Sequence, residues 1–275
     1  RLSENRFLVV TPAATVGRDV SWMLRHRGDF AISILDTTAS EGVLAIMGPK
    51  SRDLMQSVAP WQDWSNASHP FGTARQIEIG LGEARAHRVS YVGELGWEVY
   101  ISSDQCAHVL ETVLEAGQAL DLKLCGLHAM DSCRIEKGFR HFGHDITEED
   151  HVLEAGLGFA IKTAKPDFIG RDAVLSKLEQ GLSSRLLQFR LTDPEPLLYH
   201  AEPILRDGQL VGYLTSGNYG HTLGGAVGLG YVPCGVEGAA SLLSSRYEIE
   251  IAGTRVCAEA SIKSLYDPRS EKTKN

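Results

Sequence analysis

Between Leu186 and Ile262 the chain carries six short strand-like runs at fairly regular spacing: Leu186–Leu191, Ile204–Leu205, Val211–Ser216, Ala226–Val232, Tyr247–Ile251 and Val256–Ile262. Gly, Pro and Asp separate them. Many short strands punctuated by turn residues cannot build a helical bundle or a doubly wound sheet; they predict a small antiparallel barrel or sandwich. Asp207-Gly208 between two of the runs predicts a tight hairpin, because both central positions of such a turn favour residues that tolerate positive φ. The first 180 residues read differently. Strands are expected at Phe7–Val10, Ile32–Leu35, Val43–Met47, Arg75–Ile79 and Ala84–Ser90. Helices are expected over Thr15–His26, with Val16, Val20, Met23 and Leu24 at helical spacing, and over Lys50–Val58, Asp104–Ala119, Gly126–Lys137 and Arg171–Gln180. Ser103 or Asp104 is the expected N-cap of the third of these. The fold class is therefore α+β. The expected division is an α+β part over 1–180, a barrel over 181–268 and a polar tail over 269–275, with the composition shift falling near Lys162–Asp167.

Charge and composition exclude several classes of function. The 275 residues are 43% hydrophobic and 23% charged, ordinary for a globular chain and unlike a collagenous or disordered one. A net charge of −8 and the absence of a basic patch argue against a nucleic-acid partner. No run approaches the roughly 18 apolar residues of a membrane span. Cys106, Cys125, Cys133, Cys234 and Cys257 are odd in number and form no CxxC pair, which argues against a disulfide framework or a zinc cage and for a reducing compartment. The opening Arg1–Val10 has no cationic start followed by an apolar core, so it does not read as a signal peptide. Because Phe7–Val10 reads as a strand already under way, the chain is expected to be part of a longer protein.

Three motifs carry chemistry. In Val89–Ile101, two glycines, three aromatics and two carboxylates interrupt a strand-like segment. Gly93 and Gly96 permit a tight turn or a close backbone approach. Glu98 follows Tyr91 by seven positions across that turn, so the two can face one concave site. There a carboxylate accepts two parallel hydrogen bonds from a planar amidine-like edge such as a pterin's, and the tyrosine stacks or hydrogen-bonds. Spacing alone favours the plainer alternative, a glycine-kinked hairpin with Glu98 toward solvent. The second motif, Leu127–Asp150, places Asp131, Arg134 and Lys137 three apart on one helical face, as in an ion-pair ladder, with Gly138 as the stop. His141, His144 and Asp145 invite a metal reading, but HxxH without a third well-spaced ligand is a weak pattern, and no metal site is expected. The third, Val211–Val232, holds seven glycines yet has neither a dinucleotide nor a phosphate-loop signature. Ser216, Thr222 and Cys133 stand as conceivable nucleophiles without a GxSxG elbow; a glycine-rich turn closing a barrel is the simpler reading.

Taken together, SYVGELGWEVYI (90–101), GLHAMDSCRIEKGFRHFGHDITEEDHVLEAGLGFAI (126–161), DFIGRDAVL (167–175), YLTSGNYGHTLGGAVGLGYV (213–232) and SLYDP (264–268) resemble the glycine cleavage T-protein, or aminomethyltransferase, family. The version resembled is the one fused to the flavin domain of dimethylglycine and sarcosine dehydrogenases; EKGFRHFGHDIT and YGHTLG favour that branch. The resemblance runs in order over essentially the whole chain. It implies a fold of several subdomains around a central channel that binds tetrahydrofolate, with Tyr91 and Glu98 at the positions that hold the pterin and Tyr219 and His221 as candidate channel residues. Met130 stands where the stand-alone protein has an arginine, so that contact does not carry over. The family's catalytic aspartate would lie upstream of Arg1, so no catalytic residue is assigned in this chain.

The resemblance further implies one-carbon transfer. Folate N5 attacks a methylene carbon carried on an aminomethyl group or on an iminium released by a flavin domain in cis, where FAD would reside. The products are methylenetetrahydrofolate and a demethylated small amine. It implies a bacterial cytoplasmic or mitochondrial matrix location. Two alternatives remain open: a non-catalytic regulatory or assembly module of the same fold, and a folate-dependent demethylase. With the orienting carboxylate and part of the channel wall upstream, the chain alone is expected to bind folate weakly and to lack aminomethyl transfer, since a carboxylate contact left in water contributes little. An assay with tetrahydrofolate and a formaldehyde donor should show no product above background; clear turnover would refute that expectation.

Overall fold

A computed structural model describes residues 1–235 and 239–274. The first part is built on a four-stranded antiparallel sheet, β1 (Glu41–Met47), β2 (Ala74–Ile79), β3 (Gly82–His87) and β4 (Gly96–Ser102), in the spatial order β1-β4-β3-β2. β4 is central because it is apolar on one face throughout. Trp97, Val99 and Ile101 are fully buried against α2 (Ser51–Val58) and α3 (Cys106–Gly117). Period-2 alternation sends Glu98 and Tyr100 to the opposite face, where Glu98 lies across from Ala45 and His87, and Tyr100 from Val43 and Arg85. Gly48-Pro49 ends β1 and leads into α2, as the sequence predicts. α4 (Leu127–Glu136) follows, stopped by Gly138 at φ 66°. A long irregular segment then leads to α5 (Arg171–Gln180).

The second sheet closes on itself. β5 (Ser184–Leu191), β6 (Pro203–Arg206), β7 (Gln209–Gly220), β8 (Gly225–Pro233), β9 (Tyr247–Ile251) and β10 (Thr254–Ser261) form a barrel in the order β10-β5-β8-β7-β6-β9. The six runs read from the sequence are its six strands, and closure leaves no free edge. Its core holds Leu187, Phe189, Ile204, Leu214, Tyr247 and Ile249. Asp207 and Gly208, at φ 52° and 82°, make the β6–β7 hairpin. The glycine-rich stretch is the β7–β8 hairpin, in which Gly220 pairs with Gly225. α6 (Ala239–Ser244) precedes β9, and the last element is α7 (Glu271–Lys274).

Some expectations are corrected. Phe7–Val10 and Ile32–Leu35 are irregular, with Phe7 64% and Leu35 80% exposed: apolar residues make a strand only when a neighbour takes their backbone groups, and no described strand pairs with them. α1 (Val16–Arg25) forms as expected, yet its apolar face buries no residue. Neither Ser103 nor Asp104 caps α3. Its N-cap is Gln105, while Asp104 accepts a hydrogen bond from Ser102 Oγ at 2.5 Å. The polar residues after Asp267 do not trail away. Asp267 accepts from the amides of Glu271 and Lys272, Thr273 is buried, and the Lys274 carbonyl accepts from Arg88 Nη2 at 2.9 Å. Among the described residues no helix is long and apolar enough to cross a membrane.

Arg88 and His69 make the first core unusual. Arg88 is fully buried without a carboxylate among the described residues; it donates to the carbonyls of His69 and Lys274 and lies over the Trp97 ring. His69, 1% exposed, packs against Trp64 and Trp97, and its Nδ1 accepts from Trp97 Nε1 at 3.3 Å. Burial, then the positive charge of Arg75, lowers its pKa to about 4. Unfolded His69 takes its proton near pH 6.5, so between that pH and about 4 the unfolded chain binds more protons than the folded one. Stability is therefore full above pH 6.5 and falls as pH drops through this window, by at most about 3 kcal/mol from this group. Urea unfolding at several pH values should show a shallower acid loss in His69→Gln than in wild type; equal slopes would refute the assignment.

Candidate functional site

α4 is the wall beside which Tyr91 and the hairpin carrying Tyr219 and His221 are placed, while Glu98 lies apart on the first sheet. Arg134 of α4, 2% exposed, reaches three segments at once: Nε donates to Asp131 at 2.7 Å, Nη1 to Asp145 and to the Phe139 carbonyl, and Nη2 to Ser216 Oγ at 2.8 Å. Asp145, fully buried, accepts also from the His141 amide at 2.9 Å and from Thr215 Oγ1 at 2.6 Å. Thr215 and Ser216 are consecutive, and in a regular strand they would point to opposite faces. The register shift in β7 between Leu214 and Ser216 lets both serve the same ion pair. Asp145 is thus a structural partner of Arg134. The ladder expected along the helix exists only in its first half, Asp131–Arg134. Lys137, whose neighbour three residues back is the like-charged Arg134, pairs instead with Asp267, 3.0 Å from its buried carboxylate.

The rest of α4 is tied to the barrel. Ser132 Oγ donates to the Tyr219 carbonyl at 2.6 Å, Asn218 donates to Asp131, and Glu136 accepts from the amides of Thr222 and Leu223 at 2.8 Å each. The β7–β8 hairpin is thereby held against the helix, with the Tyr219 and His221 rings edge to face at 5.2 Å. Gln188 on β5 donates to the carbonyls of Ile135 and Glu136.

Tyr91 comes to the same wall from the other side. Its ring lies parallel to Phe139 at 6.1 Å and its hydroxyl donates to the Arg140 carbonyl at 3.1 Å; burial pushes the phenol above its usual pKa. The glycines of this motif make close approaches, but to protein. At φ 79°, Gly93 leaves space for the Lys137 side chain, whose Cγ would lie 2.9 Å from any Cβ there, and a Cβ at Gly96 would lie 2.6 Å from the Ile46 carbonyl. Glu98 sits on the polar face of the first sheet. Its Oε2 accepts from Tyr100 at 3.0 Å, and no described residue donates to Oε1. The Tyr100 ring lies tilted against His87, centroids 4.4 Å apart, and His87 Nε2 accepts from Arg85 at 2.8 Å; Arg85 also pairs with Glu41 at 3.3 Å. Burial, then the Glu98 carboxylate, pushes Tyr100 up to about 12, so it is a neutral donor at physiological pH. Glu98 is therefore set within a half-buried polar cluster. Its hydrogen bonds and those of Tyr91 do not join, so the structure gives each its own support. The sequence reading missed Arg85, His87 and Tyr100; the only signal was their two-residue spacing along β3 and β4, which cannot say which face is covered.

The chain matches two family models in series, the GCVT N-terminal domain over residues 1–165 and the glycine cleavage T-protein C-terminal barrel domain over residues 185–267. The chain belongs to the glycine cleavage T-protein family. Curated relatives fall into two kinds. The chain is 42% identical over 99% of its length to 4-methylaminobutanoate oxidase (formaldehyde-forming) of Paenarthrobacter nicotinovorans, of which it covers 32%, and 36% identical over 88% to mitochondrial sarcosine dehydrogenase of Homo sapiens, of which it covers 26%. It is also 35% identical over 84% of its length to an aminomethyltransferase of Halothermothrix orenii, covering 63% of that protein. It thus spans a third or less of the oxidase and dehydrogenase and somewhat under two thirds of the transferase. In fold it is similar to the aminomethyltransferase T of the Bartonella henselae glycine cleavage system, with a TM-score of 0.75 over 90% of this chain and 64% of that one, at 22% identity.

In this T-protein-family chain the Arg134–Asp145 pair joins α4 to the barrel, and removing one member leaves the other charge buried and unpaired. Arg134→Met should therefore cost about 3–5 kcal/mol of stability. Urea denaturation checks this; a loss under 1 kcal/mol would show that the pair is dispensable.

Proposed function

We propose that the chain is a tetrahydrofolate-binding unit for one-carbon transfer, working within an N-methylamine oxidising enzyme of the dimethylglycine or sarcosine dehydrogenase kind. The observation that carries the reading is that both T-protein family models match the chain in order, while its relatives include aminomethyltransferases on one side and an oxidase and dehydrogenases of methylated amines on the other. A flavin domain in the same polypeptide is part of this proposal, supported by the greater length of those relatives.

The residues present fit a pterin. Glu98 offers a carboxylate steadied at Oε2 by Tyr100 and with Oε1 uncommitted among the described residues, the acceptor that an N–H pair on a planar edge requires. Tyr91 offers a ring already steadied by Phe139 and fixed through its hydroxyl, so little side-chain freedom remains to be lost on binding. Tetrahydrofolate would supply the nitrogen that takes up the one-carbon unit. The work of the protein's own groups is to orient that nitrogen and to keep water away from a reactive methylene carbon, which needs placement more than an unusual pKa. Tyr219 and His221, on the hairpin held by α4, are proposed to line the approach.

Titration of the chain with tetrahydrofolate should be saturable, and Glu98→Ala should weaken it by at least about tenfold, as expected for a charge-assisted pair of hydrogen bonds. Absence of binding by wild type, in the full-length polypeptide as well as in this chain, would overturn the reading. Product analysis separates the alternatives. Methylenetetrahydrofolate supports transfer, methyltetrahydrofolate a demethylase, and binding without turnover in the full-length polypeptide a regulatory module, a reading with which Met130 is compatible.

A further inference from the structure

A second cluster of charge lies beyond Arg140. Its carbonyl accepts from Tyr91, while its side chain runs the other way, with Nε donating to the Ala155 carbonyl at 3.0 Å and Nη1 to that of Gly138 at 2.5 Å. Arg185, on β5, donates through Nη1 to the Leu153 carbonyl at 2.8 Å. The two guanidinium groups converge on Gly156. A Cβ there would lie 2.7 Å from Arg140 Nη2 and 3.5 Å from Arg185 Nη2, and neither nitrogen has an acceptor among the described residues. No described carboxylate lies within 4 Å of either guanidinium. The nearby ones are engaged: Asp145 by Arg134 and Thr215, Asp150 by the amide and hydroxyl of Thr147, and Glu154 by Lys177 at 2.7 Å and by Ser183 and Ser184.

Two half-buried cations facing one point without a counter-ion repel each other. Burial first, and Arg185 second, lower the pKa of Arg140 from its usual value. Hydrogen bonds to three carbonyls explain why the arginines can staple the turn around Gly156, but not why an uncommitted nitrogen of each lies beside that glycine. A cavity of about 400 Å³ opens beside this point, and its lining is mixed: Arg185 and Gly156 at one side, Leu153, Leu182 and the 86% exposed Phe159 around it, and Lys177 already neutralised by Glu154; Arg140 is not in the lining and adjoins the cavity only next to Gly156. Gly156, at φ 76°, keeps the approach to both guanidinium groups open.

We propose that this cavity is a binding site for an organic oxyanion, its carboxylate or phosphate held by Arg185 in the wall and drawn by the charge of Arg140 next to Gly156, and its apolar portion against Leu153, Leu182 and Phe159. Arg185 keeps Nε and Nη2 uncommitted among the described residues, a planar edge matched to such a group, Arg140 adds Nη2, and the anion relieves their repulsion. The site is distinct from Glu98 and does not depend on the folate reading.

Calorimetric titration of the 275-residue chain at fixed ionic strength, with inorganic phosphate, phenyl phosphate and benzoate as probes, tests it. Phenyl phosphate should bind saturably and about tenfold tighter than inorganic phosphate, because only it uses the apolar lining. Comparison with benzoate tells which oxyanion the arginines prefer. Arg185→Gln should weaken the tighter probe by at least about tenfold. Leu178→Glu, on the exposed rim of the cavity, should weaken it too through like-charge repulsion and decides the matter if Arg185→Gln does not fold. No saturable binding of any probe at millimolar concentration, or binding that neither variant alters, would overturn the proposal. Equal affinity for phosphate and phenyl phosphate would overturn its apolar half.

Discussion

The buried ion pair between Arg134 and Asp145 is the constraint on which the arrangement of this chain depends. A guanidinium and a carboxylate taken out of water stay charged only if nearly every donor and acceptor finds a partner. Here Arg134 has Asp131, Phe139, Asp145 and Ser216, and Asp145 adds His141 and Thr215. Satisfying the pair therefore fixes the helix, the loop that follows it and one barrel strand relative to one another. The irregularity in β7 belongs to this requirement, since it lets neighbouring hydroxyls on one strand point to one place.

Once α4 is fixed, its other polar groups organise the surroundings. Glu136 holds the β7–β8 hairpin, Lys137 holds the C-terminal turn through Asp267, and Gly93 is glycine because Lys137 occupies the space beside it. Tyr91 is fixed through Phe139 and Arg140, immediately after the same helix. Tyr91, in the first half of the chain, is thus positioned by a helix whose own position is set by the barrel in the second half.

The first sheet shows how one alternation produces both a core and a half-buried polar cluster. Trp97, Val99 and Ile101 fill the side covered by α2 and α3, and the residues between them, Glu98 and Tyr100, join Arg85, His87 and Glu41 on the other. The large apolar side chains hold the strand in place, and that rigidity steadies the carboxylate.

Period and turn chemistry, both local, were legible in the sequence: the six barrel strands, the Asp207-Gly208 hairpin, the helices over 16–25, 51–58 and 171–180, and the glycine stop after α4. The motif around Tyr91 and Glu98 was legible as a candidate site for the same reason, since the glycines and alternating residues lie within one segment. What the sequence could not determine is who meets whom across large separations. Phe7–Val10 has the composition of a strand but no described partner strand, Lys137 takes Asp267 rather than Asp131, and Asp145 belongs to Arg134 rather than to a histidine pair. Arg140 and Arg185, far apart in the chain, converge only because the barrel's first strand packs beside the turn around Gly156. Local propensity is written residue by residue, whereas the pairing of buried charges is decided by which partners remain once the whole chain has excluded water.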